Sequence, residues 1–291
     1  MESDHKTIIY KNDLKFLSKI DIENQILESD FYNSYTKSDS NEITFDSDQT
    51  ESLYNTFKDK NKIELRIQCC INESYNYFDL SSLYMTDNQL RKLFKIKKIR
   101  DILEKIELLD ISNNNLNVFP EISEYKNIIN INISHNYIKG EIITENYDEI
   151  CCKDNEITSI ISNRLKKLEA NNNKIKNINI PNIEVLHINN NKLSEIGSYN
   201  NLVYLECIEN KIIEISNMEK LEELFISNNK LENLYNMDNL QILNCIENPI
   251  KKIHYFPKLT MMIISTKNIS KQYKIETVKK IKEDFFIKLV E

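Results

Sequence analysis

Three residues have the types used in acid–base chemistry or metal binding: Glu169, His187 and Glu206. An imidazole between two carboxylates can act as a general base or help hold a metal ion. Either role needs further groups in register, such as a nucleophile, a second histidine or an oxyanion-binding turn. None accompanies these three. Cys151, the thiol at the same outward position in the repeat frame described below, falls two strands from His187, about 10 Å and beyond hydrogen-bond reach. The six cysteines (Cys69, Cys70, Cys151, Cys152, Cys207 and Cys245) form no C-x-x-C pair, and their two adjacent pairs lack zinc-like spacing. With 2 glycines there is no G-x-G-x-x-G and no G-K-[ST], so a phosphate-cradling loop is missing too. The expectation is no catalytic residue, no metal and no cofactor, with Glu169, His187 and Glu206 as charged groups facing a partner.

The elements that position these residues repeat. Leu221, Leu224, Ile226, Asn229 and Leu231 define a frame L-x-x-L-x-L-x-x-N-x-L. The frame recurs with its asparagine at Asn88, Asn114, Asn136, Asn155, Asn173, Asn191, Asn210, Asn229 and Asn248, in steps of 26, 22, 19, 18, 18, 19, 19, 19 and 19 residues when counted on from the first to a tenth unit at Lys267. That last unit keeps the frame but carries lysine in place of asparagine. Two further apolar positions follow each asparagine, for example Ile196 and Tyr199, Ile215 and Met218, Leu234 and Met237, and Ile253 and Phe256. They predict a return segment too short for a full helix, in 3₁₀ or extended backbone.

Over roughly residues 77 to 270 this pattern resembles the leucine-rich repeat family. The resemblance implies an α/β fold: a curved solenoid of about ten repeats over 61–270, with a concave parallel β-sheet and a short 3₁₀ or extended convex side. The repeats look like shortened versions of the 22-residue repeats of intracellular phosphatase regulators and bacterial internalins. Each asparagine is expected to turn the chain out of its strand, its amide bonding turn backbone in its own and adjacent repeats. Cys152, Cys207 and Cys245 occupy the inward position of Ile226 and read as small core hydrophobes. The cysteine-rich end caps of secreted family members are missing, which favours a reducing compartment.

Residues between the inward positions should face out across the concave sheet. In the N-terminal half these are polar, among them Asp110, Asn130, Asn132, Ser134, Glu149 and Glu169. The C-terminal half gathers Tyr204, Ile208, Phe225, Ile242, Ile246, Met261 and Ile263 on neighbouring strands, with His187 and Glu206 beside them. An apolar patch of that kind marks an interaction site unless a terminal cap covers it.

The ends depart from the repeat. Residues 1–60 are acidic and polar, and 29–52 read as a linker rich in Ser, Asp and Asn. Residues 61–70 alternate like a capping strand. Residues 89–109 read as one helix carrying Leu90, Leu93, Ile96, Ile99, Leu103 and Ile106, with Arg91, Lys92, Lys95, Lys97, Lys98 and Arg100 as a solvated basic face. Residues 271–291 are expected to hold a capping helix.

Charge and hydropathy narrow the class. A net charge of −7 disfavours binding to duplex nucleic acid. No run approaches 18 apolar residues, so no membrane span is expected, and the N-terminus lacks the apolar core of a signal peptide. The expected protein is an intracellular monomer, cytoplasmic or nuclear, that binds an unidentified protein partner without catalysis. The alternative is an adaptor, for example in ubiquitin ligation, that docks a second protein through residues 1–60. The Asn/Ile/Lys bias is similar to that of repeat proteins from giant amoeba-infecting viruses and slime moulds.

Overall fold

The structure, a computed structural model, describes residues 60–72, 74–215, 218–234, 237–253, 256–265 and 286–290. The expected linker at 29–52 lies outside them, as does most of the N-terminal segment.

Every repeat contributes one short strand to a single parallel sheet. Its strands run in order β1 (Tyr77–Asp79), β2 (Leu108–Asp110), β3 (Asn130–Asn132), β4 (Glu149–Cys151), β5 (Lys167–Glu169), β6 (Val185–His187), β7 (Tyr204–Glu206), β8 (Glu223–Phe225), β9 (Ile242–Asn244), β10 (Met261–Ser265) and β11 (Phe286–Val290). Parallel pairing follows from the repeat, because each unit returns the chain to the same end before the next strand starts. The strands stay at three residues for most of the array because the turn asparagine ends the extended segment in each unit.

The core lies between this sheet and the returning segments. In the unit around β8, Leu221, Leu224, Ile226, Leu231, Leu234 and Met237 are all 0% exposed. Each such side chain contributes roughly 1.5–3 kcal/mol by leaving water. Cys152, Cys207 and Cys245 are as fully buried as the Ile226 they replace, and none of the three is in a disulfide. Burial pushes the acidity of all three far from the thiolate range. They are core groups and not reactive ones.

The convex return is extended, without 3₁₀ turns among the described residues. Lys139–Ile143, Glu156–Ile161 and Asn177–Asn179 form a three-stranded parallel sheet, and Glu195–Ile196 pairs with Glu214–Ile215, as Asn233–Leu234 does with Lys252–Ile253. The register slips between Gly140 and Glu141, and Gly140 holds φ +83° there, a conformation that suits a residue without Cβ.

Three expectations for the ends are corrected. Residues 61–70 are helical, within α1 (Lys60–Asn72), and do not form a capping strand. Ile63, Ile67 and Cys70 are buried at 1–2% at spacings of four and three, which is a helical face, whereas the alternate residue Leu65 stays partly exposed. The single helix expected over 89–109 is two, α2 (Asp87–Phe94) and α3 (Lys97–Leu103), followed by β2. Thr86 starts α2 with a capping box to Gln89, and the chain becomes extended at Ile96 before α3 begins. Folding the basic segment back on itself lets Leu90, Leu93, Ile96, Ile99, Leu103 and Ile106 all reach the core at 0–3% exposure. At the other end, 266–285 lie outside the described residues, and Phe286–Val290 is a strand rather than the end of a capping helix. It pairs in parallel with all five residues of β10, giving that sheet edge a backbone partner.

Candidate concave binding face

The turn asparagines form a continuous ladder under the face. Asn229 Nδ2 donates to the carbonyl oxygens of Ile226 and Ser227 in its own turn, and to Cys207 of the preceding one at 2.9 Å. Its Oδ1 accepts from the Ile212 amide at 2.9 Å. The same four-point pattern recurs at Asn114, Asn136, Asn155, Asn173, Asn191, Asn210 and Asn248, each no more than 9% exposed. Only an amide offers donors and an acceptor on one short side chain, so the position satisfies buried backbone that the turn would otherwise strand.

Asn88 is not part of this ladder. It lies exposed in the first turn of α2, and six residues on from the start of β1, where the other units have asparagine, the chain has Leu83. The frame match at 88 arose from helical spacing: Leu90 and Leu93 pack as a helix face rather than as strand and turn.

The residue before each ladder asparagine takes a left-handed turn conformation, at φ 50–58° for Asn113, His135, Asp154, Asn172, Asn190, Glu209, Asn228 and Glu247. Asn and Asp tolerate that region well, and glutamate less so. Asn228 and Asn229, adjacent and chemically identical, thus serve different ends: one bends the backbone, the other bonds it.

Strand register aligns the outward side chains in columns. One column runs Asp79, Asp110, Asn132, Cys151, Glu169, His187, Glu206, Phe225, Asn244, Ile263. In its first half the polar groups bind one another. Arg66 pairs with Asp79, and Asn132 Nδ2 donates to Asp110 Oδ2 at 2.9 Å. Asp110 is 5% exposed, and burial raises its carboxyl above the usual range against the hydrogen bonds from Ser112 and Asn132. Ser134 Oγ lies 3.0 Å from Cys151 Sγ, which in turn points to Glu169 Oε2 at 3.7 Å. Lys153 and Lys167 close on Glu169 at 2.7 and 3.0 Å. Burial works against the Glu169 charge, but the two lysines outweigh it and hold the group down at about 2. Burial, then the Glu169 charge, pushes the Cys151 thiol up to about 11, so it is a poor nucleophile.

The second half is apolar and aromatic. His187, Tyr204 and Phe225 form a row of rings, with centroids 4.8 Å apart between the first two and 5.7 Å between the last two. His187 Nδ1 donates to Glu206 Oε2 at 2.8 Å. Burial opposes the Glu206 charge, yet the hydrogen bonds from His187 and Asn189 prevail and keep its carboxyl below the usual range. Ile208, Ile242, Ile246, Met261 and Ile263 surround the row, each partly exposed.

Glu169, His187 and Glu206 therefore do not act together. Glu169 turns to two lysines on one side and His187 to Glu206 on the other. Among the described residues no group of three His, Cys, Asp or Glu side chains could hold a metal ion, and no helix is long and apolar enough to cross a membrane. The sequence frame located the columns; the ring contacts depend on rotamers that no spacing specifies.

Parallel strands repeating every 18–19 residues, an asparagine ladder and leucine/isoleucine layers define a leucine-rich repeat solenoid. No family model and no curated protein matches the chain. Among solved structures it is similar to the leucine-rich repeat domain of APL1B, at 14% identity and TM-score 0.45, covering 74% of this chain and 69% of that one. It is also similar to a Shigella effector leucine-rich repeat domain, at 14% identity, TM-score 0.33, and 84% and 98% coverage. YopM from Yersinia pestis gives 14% identity, TM-score 0.36, and 84% and 100% coverage.

Proposed function

We propose that the protein is a non-enzymatic interaction module that binds a protein partner through the C-terminal half of its concave face. The observation that carries this reading is the His187–Tyr204–Phe225 row. The solenoid core needs only the inward residues, so nothing in the fold calls for aromatic side chains on the outward side of these strands. Aromatic groups there supply large contact area at low entropic cost, which is the usual chemistry of an interface centre. Ile208, Ile242, Ile246, Met261 and Ile263 extend the apolar contact, and His187 and Glu206 form its polar edge. The partner is a different protein and the module acts as a monomer.

Changing both Phe225 and Ile263 to Glu places two charges in the contact. Affinity capture with the full chain should lose the partner, while circular dichroism and the melting curve stay close to those of the unaltered protein. Unchanged capture by a folded double variant refutes the site.

A further inference from the structure

A charged column lies outside the concave face, just past the asparagine turn. On four consecutive units the residue after the ladder asparagine is an exposed lysine: Lys174, Lys192, Lys211 and Lys230. Backbone bonds hold the four in step. The Lys174 amide donates to the Ile157 carbonyl, Lys192 to Ile175, Lys211 to Leu193 and Lys230 to Ile212, all at 2.8–2.9 Å. Each lysine thus follows the last by one unit, about 5 Å.

The fold does not call for lysine at this position. Tyr137 and Glu156 occupy it in earlier units and make the same backbone bond, to Leu116 and Ile138. At one step the column pairs with itself, Lys174 Nζ lying 2.6 Å from Glu156 Oε2. The next three steps set like charges beside one another, which costs stability. Lys192, Lys211 and Lys230 have no ion pair among the described residues. Of the eight residues two before and two after the four lysines, one is a further lysine, Lys176, and two are acids, Glu209 and Glu232. Glu232 is already held by Lys251 at 2.6 Å. Five lysines against two glutamates leave the strip positive on a chain whose net charge is −7. The next acids, Glu195 and Glu214, stand three residues beyond their lysines on the convex strands, about 10 Å along the chain.

We propose that this lysine column is a second docking surface, and that it takes an acidic helix of a partner protein. Pitch selects the helix. Four lysines at strand spacing span about 15 Å. Carboxylates at i, i+4, i+7 and i+11 share one face of a helix and span about 16 Å. Alternate residues of an extended segment fall about 7 Å apart, and four of them overshoot the column at about 20 Å. The surface lies apart from the aromatic row and does not depend on it.

The test uses the full chain and a fluorescein-labelled, alanine-rich helical peptide with glutamates at i, i+4, i+7 and i+11, followed by anisotropy. One control peptide scatters the same glutamates around the helix, and another replaces them with glutamine. The expected order is striped, scattered, glutamine, with at least about tenfold between first and last and a loss of affinity as salt rises. Replacing the three unpaired lysines together, Lys192→Gln, Lys211→Gln and Lys230→Gln, should weaken the striped peptide about tenfold. That variant should melt no lower than the unaltered protein, because it removes neighbouring like charges. No binding of the striped peptide, equal binding of the scattered one, or indifference to the triple change overturns the proposal. So does a fall in melting temperature of several degrees, which would make the lysines structural. Oligouridine that binds more tightly than the striped peptide would make the column a phosphate-chain site and overturn the acidic helix. Phe225→Ala keeps this surface separate from the concave one: it should leave the striped peptide unchanged, and a loss there would move the peptide to the concave face and overturn the assignment.

Discussion

The two halves of the concave face share one kind of strand, ladder and core, yet the first carries outward groups that are mostly polar pairs, while the second adds aromatic and apolar groups to polar pairs such as His187–Glu206. From β2 to β5 the polar groups bind each other: Asp110 to Asn132, Ser134 to Cys151, Glu169 to Lys153 and Lys167. From β6 to β10 the surface turns to Tyr204, Phe225 and isoleucines that have only partial cover. Polar groups already paired with each other offer a partner little, because any new contact must first break an old one. Partly covered apolar groups still gain by further burial. Identical scaffolding thus carries one self-satisfied surface and one that is incomplete.

That contrast requires the core to be uniform, which mutations can test. Leu168→Ala under β5 and Leu224→Ala under β8 should each cost about 3 kcal/mol in urea unfolding. A large difference between them would place the distinction in the core and not on the face. Asn173→Ala and Asn229→Ala should follow at about 2 kcal/mol each, since either change leaves buried carbonyl and amide groups without a partner.

Acid separates the halves more finely. Glu169 has its carboxyl depressed to about 2 by Lys153 and Lys167, below the value near 4.5 expected in the unfolded chain. A depressed folded value means that this contribution is fully present above pH 4.5 and is lost as pH falls from there toward 2. Glu169→Gln should therefore lower stability at pH 7 and flatten the acid limb between pH 4.5 and 2. Unfolding midpoints measured across that range check the sign. The smallest effect belongs to the turns. Glu209 holds φ 55° where Asn113, Asn172, Asn190 and Asn228 serve in other repeats. Glu209→Asn should stabilise by about 0.5 kcal/mol, and a loss of stability there would contradict the backbone account.

Legibility in the sequence tracked the repeat. Within it, spacing alone located the inward residues and the outward columns, because an error at one unit is corrected by its neighbours. At the ends there are no neighbours to vote. Ile63, Leu65 and Ile67 alternate like a strand, while Ile63, Ile67 and Cys70 match a helix, and ten residues do not separate the two. Asn88 entered the frame for a similar reason, since Leu90 and Leu93 satisfy both periods. Residues 286–290 took strand form because the edge of β10 lies alongside.

The sequence by itself determined the repeat length, the buried layers and the asparagine ladder, since these depend on local spacing and on side-chain chemistry repeated unit by unit. Tertiary structure decided what the outward groups do. Whether Glu169 turns to Lys153 or to His187, and whether Tyr204 touches Phe225, depends on distances between strands 18 or 19 residues apart in the chain. Rotamers and burial set those distances, and both are properties of the folded surface rather than of any single repeat.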